Sequence, residues 1–123
     1  MNTRKAIRYS SALLPANHSK ATIKWGGDPQ IECNIVNCSS QGVGVIILPL
    51  QPLLEFPKEN DTILVKMLAA KRWFTGTCIY TSLDDRSIAI GIYFPNQYEQ
   101  DHIQHLLYKA LKECDHLGGD VNK

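Results

Sequence analysis

The sequence predicts a mainly β domain: a small six-stranded antiparallel β-barrel followed by a C-terminal amphipathic α-helix. Two observations lead there. Between Lys20 and Phe94, short runs rich in β-branched and aromatic residues are broken by clusters of Gly, Pro, Asn, Ser and Asp. After Pro95 the apolar residues change to helical spacing. A chain of 123 residues suits one domain and can bury a core without disulfide or metal staples.

Each element has its own signal. "KATIKW" (20–25) alternates and is followed by the turn-forming "GGDP". "QIECNIVNC" (30–38) places Ile31, Cys33 and Ile35 on one face and Glu32 and Asn34 on the other. "SSQG" breaks that pattern before the buried strand "VGVIIL" (43–48). "PLQPLLEFPKEND" carries three prolines and is a loop. Strands are expected over 62–69, over 72–82 with Gly76 as a bulge or close-packing point, and over 87–94, with "LDDR" as a turn before the last. Closing six short strands into a barrel removes their exposed edges.

Asn96 is placed to cap the helix. Ile103, Leu106, Leu107, Ala110, Leu111 and Cys114 form its apolar stripe, and Gly118–Gly119 are expected to end it. The organisation read from the chain is an N-terminal arm over 1–12, the barrel over 13–95, the helix over 96–117 and a tail over 118–123.

Charge narrows the function. Thirteen basic and twelve acidic residues give a formal net charge of +1, unlike the strongly basic domains that bind nucleic acid. The distribution is uneven. No acid precedes Asp28, whereas Arg4, Lys5, Arg8, Lys20 and Lys24 do. The resulting local positive field favours a small anion or a phosphate. No apolar run is long enough to span a bilayer or to act as a secretory leader, so a cytoplasmic protein without membrane insertion is expected. The glycosylation sequons at Asn17 and Asn37 then carry no meaning. Cys33, Cys38, Cys78 and Cys114 show no CxxC spacing and are expected to be reduced and mostly buried.

Two short motifs carry chemistry. "RKAIR" places Arg4 and Arg8 four apart, and "NCSSQG" spans Asn37 to Gly42. Taken alone, the first reads as a solvated tail and the second as a hairpin turn. Taken together they describe a ligand. Guanidinium groups grip phosphates in a fork and stack on flat rings. The Asn37 amide and the Ser39 hydroxyl both donate and accept, as base edges require. Gly42 lets the backbone come close. A nucleotide has phosphates and a flat base, and so matches both motifs.

The pair resembles the signature of the PilZ domain family: RxxxR, followed downstream by an Asp or Asn in [D/N]xSxxG. Every fixed position is matched by Arg4, Arg8, Asn37, Ser39 and Gly42, and the likeness extends over essentially the whole chain. The resemblance implies a bacterial, cytoplasmic receptor for the second messenger cyclic di-GMP. Arg4 and Arg8 would hold phosphates and a guanine face from a flexible arm, and Asn37, Ser39 and Gly42 would contact guanine. Lys5 and Tyr80 are further candidate contacts. Ordering of the arm would alter a surface for a protein effector in motility, secretion or exopolysaccharide control. The chain would be a monomer or weak dimer, not an enzyme, with no metal and no nucleic-acid partner. Two alternatives keep the fold: a regulatory module of a cellulose-type polysaccharide synthase, and a ligand-free adaptor that docks protein partners.

Other constellations point less far. His102 and His105 have a spacing that can hold zinc but lack two further ligands, so they read as solvent-facing. Asp84 and Asp85 lie on a turn tip, and Glu113, Asp115 and His116 form a charged helix face. No nucleophile-elbow, P-loop or zincin motif occurs. Trp25, Trp73 and Tyr80 are expected in core or barrel-wall packing. Leu53, Leu54 and Phe56 in "PLLEF" are candidates for an exposed partner contact.

Overall fold

A computed structural model describes residues 8–14, 18–26, 30–48, 56–84 and 86–121, with side chains to residue 112 except that of Ser11. Among them are seven strands, β1 (Tyr9–Ser10), β2 (Lys20–Lys24), β3 (Ile31–Ser39), β4 (Gly42–Ile47), β5 (Thr62–Met67), β6 (Phe74–Leu83) and β7 (Ile88–Tyr93), a short 3-10 helix (Ser11–Leu13) after β1, and one α-helix, α1 (Gln97–Val121). All described pairings are antiparallel. The strand order β3-β2-β5-β6-β7-β4 closes through a β3–β4 pairing, so six strands form the expected closed barrel. β1 is the addition. It pairs Tyr9 with Cys38 and Ser10 with Asn37, beyond the point where β2 leaves β3.

The barrel closes because each strand turns an apolar row inward. Ile23, Val43, Val45, Ile63, Val65, Phe74, Ile90 and Ile92 are almost completely buried. Phe94 meets Phe74 edge to face, with ring centroids 6.2 Å apart. Trp25 and Phe56 are half-buried and packed against this core. Phe56 is therefore not the exposed contact expected of "PLLEF", while Leu53 and Leu54 lie outside the described residues.

Strict alternation fails twice. Bulges interrupt the ladders between Ile35 and Asn37 and between Cys78 and Tyr80. Gly76 is not the bulge: a Cβ there would sit 3.3 Å from Phe94 Cε1 and collide with Ile92, so close packing explains it. The strand expected over 62–69 stops at Met67. Leu68 and Ala69 take φ values of 57° and 62°, and Ala70 N donates to Met67 O at 3.0 Å, turning the chain.

Asn96 caps α1 as expected, its Oδ1 accepting from Glu99 N at 3.0 Å. Glu99 is buried because it bridges helix and barrel. Its Oε1 accepts from Thr75 N at 2.9 Å and its Oε2 from Arg72 Nη2 at 3.1 Å. Ile103, Leu107 and Ala110 join the barrel core. The helix continues through Gly118–Gly119 to Val121 rather than ending there. Glycine costs about 1 kcal/mol relative to alanine inside a helix, which weakens it without breaking it.

Cys33, Cys38 and Cys78 are free and buried. Burial pushes the Cys33 and Cys38 thiols from 9.0 up to about 12; Glu32 adds to the effect at Cys33 and Arg8 opposes it at Cys38. The native state thus keeps protons that the unfolded chain gives up between pH 9.0 and about 12. Stability contributed by these neutral thiols is complete below that window and is lost as pH rises through it. A Cys33→Ala/Cys38→Ala variant should show a shallower fall in denaturation midpoint over this range. An equal fall would exclude the thiols as its cause. Leu107→Ala, which empties a fully buried position, should lower unfolding free energy by about 2–5 kcal/mol in urea titrations.

Candidate functional site

The two bulges decide which side chains leave the barrel. On β3 the inward residues are Cys33 and Ile35, then Cys38. The extra residue between them, Val36, is exposed, and the phase change releases Asn37 from the interior. On β6 the buried residues are Phe74, Gly76 and Cys78; Ile79 is then extra and exposed, and Tyr80 is released in the same way. Uninterrupted alternation would have pointed both Asn37 and Tyr80 into the core.

These two residues belong to one cross-strand row. Ser10 pairs with Asn37, Asn37 with Gly44, Gly44 with Gly91, and Gly91 with Tyr80. The Asn37 amide leans over Gly44, where a Cβ would lie 3.1 Å from Oδ1. The Tyr80 ring covers Gly91, where a Cβ would fall 2.6 Å from Cδ2 and 2.9 Å from Cζ. Two adjacent glycines therefore let an amide and a phenol ring lie close to the backbone, forming a flat shelf across β3, β4, β7 and β6.

Arg8 closes one end of the shelf. The β1–β3 pairing starts at the next residue, and Arg8 Nη1 donates to Asn37 Oδ1 at 2.7 Å. Arg8 is exposed, so its remaining guanidinium donors face outward. The structure thus brings together members of the two sequence motifs that lie 29 residues apart. Arg4 and Lys5 lie outside the described residues.

Ser39 and Gly42 occupy the β3–β4 turn. Ser39 is buried, and its Oγ accepts from Gln41 N at 3.2 Å, so the hydroxyl braces the turn. A Cβ at Gly42 would meet Ile92 O at 2.6 Å. That neighbour is backbone, so the turn packs on β7 only with glycine there. Gln41 O in turn accepts from Phe94 N at 2.8 Å.

Gly44 and Gly91 carry no signal in the sequence, because their place depends on a register that joins four strands. The other candidates are dispersed. His102 and His105 are exposed, and His102 rests on Phe74 at 5.7 Å. Among the described residues no group of three His, Cys, Asp or Glu side chains is placed to hold a metal. No described helix is long and apolar enough to cross a membrane.

No family model and no curated protein matches the sequence. Solved structures do match the fold. The PilZ domain with c-di-GMP of YcgR from Escherichia coli aligns with a TM-score of 0.68 at 13% identity, covering 96% of this chain and 98% of that one. The K. pneumonia MrkH–c-di-GMP complex aligns with a TM-score of 0.61 at 15% identity, over 94% of this chain and 54% of that one. The Bacillus subtilis inhibitor of motility MotI/DgrA aligns with a TM-score of 0.57 at 15% identity, over all of this chain and 53% of that one. The chain thus spans about half the length of the MrkH and MotI/DgrA chains. It has the PilZ-like fold.

The shelf makes a prediction about its own geometry. Gly91→Ala should leave stability within about 0.5 kcal/mol, because Tyr80 is exposed and free to swing outward. Nuclear Overhauser contacts between the Tyr80 ring and residue 91 should then be lost. Absence of these contacts already in the wild-type chain would mean that the ring does not rest on the glycine.

Proposed function

We propose that this protein is a receptor for cyclic di-GMP and acts as a regulator rather than an enzyme. The observation that carries this reading is the Arg8–Asn37 hydrogen bond at the head of the glycine shelf that Tyr80 borders. The fold supports it, since neighbours of the same architecture are c-di-GMP complexes.

The residues fit such a ligand by their chemistry. Arg8 offers a charged fork for phosphate oxygens. Asn37 offers a donor and an acceptor for a purine edge. Tyr80 offers an exposed ring on which a base stacks, and the missing Cβ atoms at Gly44 and Gly91 keep the surface between them flat. Ser39 and Gly42 hold the turn in place. Arg4 and Lys5 are assigned to the same site by the motif that Arg4 and Arg8 share.

The mechanism is an exchange of partners. Arg8 gives one donor to Asn37. An anion with two phosphates is a stronger acceptor than an amide oxygen, so Arg8 turns to it and the Asn37 carbonyl becomes available to the base. The N-terminal arm, already joined to β3 through β1, closes over the ligand, and the surface it creates addresses a protein effector. The barrel over 13–95 and the helix beyond it supply the frame.

Calorimetric titration of cyclic di-GMP, with GTP as control, tests this. Saturable binding is expected for the wild-type chain and not for GTP. Arg8→Ala should weaken it about tenfold to a hundredfold, the range of a hydrogen bond to a charged group. Tyr80→Ala should weaken it by a similar factor if a base stacks there. Absence of both heat and thermal shift at high ligand concentration would overturn the receptor reading and favour a ligand-free docking barrel.

A further inference from the structure

The barrel wall opposite the shelf carries a second cluster. In the ring order β3-β2-β5-β6-β7-β4, the pair β2–β5 lies across from β7–β4. Its inward positions, Ala21, Ile23, Val65 and Met67, are buried. Its outward positions include Lys20, Lys24 and Lys66, and Lys71 and Arg72 follow in the turn that leads to β6.

At the centre is Trp73. Lys24 Nζ lies 4.5 Å and Lys66 Nζ 4.7 Å from its ring centroid. Trp25 packs against the core, but Trp73 is half-buried without belonging to that packing. Two ammonium groups on one indole attract the ring and repel each other. Among the described residues, Glu32 is the acid on the adjoining strand, and Glu99 is engaged by Arg72 and Thr75. An external anion would relieve the crowding.

The kind of anion follows from the groups present. Lysine is a compact, strongly hydrated charge without a fork, suited to a diffuse negative surface rather than one shaped phosphate. An indole beside lysines is the composition found where proteins meet the headgroup layer of a bilayer. The wall is a strand surface, bordered by an open groove of about 190 Å³ between Lys20, Thr22, Lys66 and the Leu68–Ala69 turn, with Glu32 as its one acid against two lysines. We propose that the β2–β5 wall is a peripheral docking surface for an anionic lipid bilayer, with lysines on the headgroup phosphates and Trp73 at headgroup depth. It lies on the far side of the barrel from the shelf, so both can be engaged at once.

Vesicle co-sedimentation of the full chain tests this, comparing phosphatidylglycerol-containing vesicles with pure phosphatidylcholine. Binding is expected to the anionic vesicles only, and to fall steeply with added salt. Lys24→Gln/Lys66→Gln should weaken it about thirtyfold, from the attraction each lysine has for an anionic surface. A blue shift of tryptophan emission on binding should disappear in Trp73→Phe. The proposal is overturned if the wild-type chain ignores anionic vesicles, binds neutral ones equally, or binds with no salt dependence. Undiminished binding by a folded double-lysine variant would also overturn it. Where that variant fails to fold, the salt titration and Trp73→Phe decide. An acidic protein captured by this wall while vesicles are ignored would assign it to a protein partner instead.

Discussion

The site depends on one constraint: a strand in a closed barrel cannot change which side its residues face unless it gains or loses a residue from its ladder. Val36 and Ile79 are such residues. Each is an apolar side chain left exposed, a modest cost. In return each reverses the phase of its strand. Without the shift at Val36, Cys38 would turn outward and Asn37 would place an amide among Val43, Val45 and Ile92. A buried amide without partners costs more than an exposed valine. The bulges therefore serve packing and chemistry together: the residue that must be apolar stays inside and the one that must be polar comes out.

Closure then fixes what lies beside Asn37 and Tyr80. The two residues are 43 apart in sequence, as their numbers show, and they share one row only because β4 and β7 pair between them in a single register. A one-residue slip of β4 against β7 would replace a glycine of the shelf by a β-branched residue and raise the surface. Gly42 resists that slip, since its contact with Ile92 O admits no side chain. The turn is also tied onward. Ser39 Oγ accepts from Gln41 N, Gln41 O from Phe94 N, and Phe94 O from Gln100 Nε2 at 2.7 Å. The turn of the second motif and the first turn of α1 are thus joined through three hydrogen bonds, with Phe94 fully buried between them.

Much of this was legible in the sequence, for a definable reason. Strand interiors and the helix stripe are local patterns, so the barrel strands, the helix and the cap at Asn96 could be read from neighbours along the chain. Register is not local. The alternation in "QIECNIVNC" is regular enough to hide the bulge at Val36, which becomes necessary only once Cys38 must face Ile92 across β4. Gly44 and Gly91 look like ordinary strand glycines until the pairing sets them side by side. Trp73 reads as a wall aromatic, and nothing nearby announces that Lys24 and Lys66 will converge on it from two strands. Gly118–Gly119 show the opposite error: a local stop signal was overridden by a helix already nucleated and docked through Ile103 and Leu107.

The even overall charge also acquires a meaning from the fold. A net charge of +1 hides a segregation. Arg8 stands at the end of a shelf otherwise built of uncharged groups, where a guanidinium acts on a specific neighbour at 2.7 Å. Lys20, Lys24 and Lys66 stand together on the far wall, where charge is collective and unshaped. A guanidinium carries its donors in a fixed planar fork, whereas ammonium groups are compact point charges. The barrel separates the two kinds of cation by its own thickness. Cations placed on both walls without a core between them would repel and blur this distinction, and it is the packed interior that lets one small domain present both.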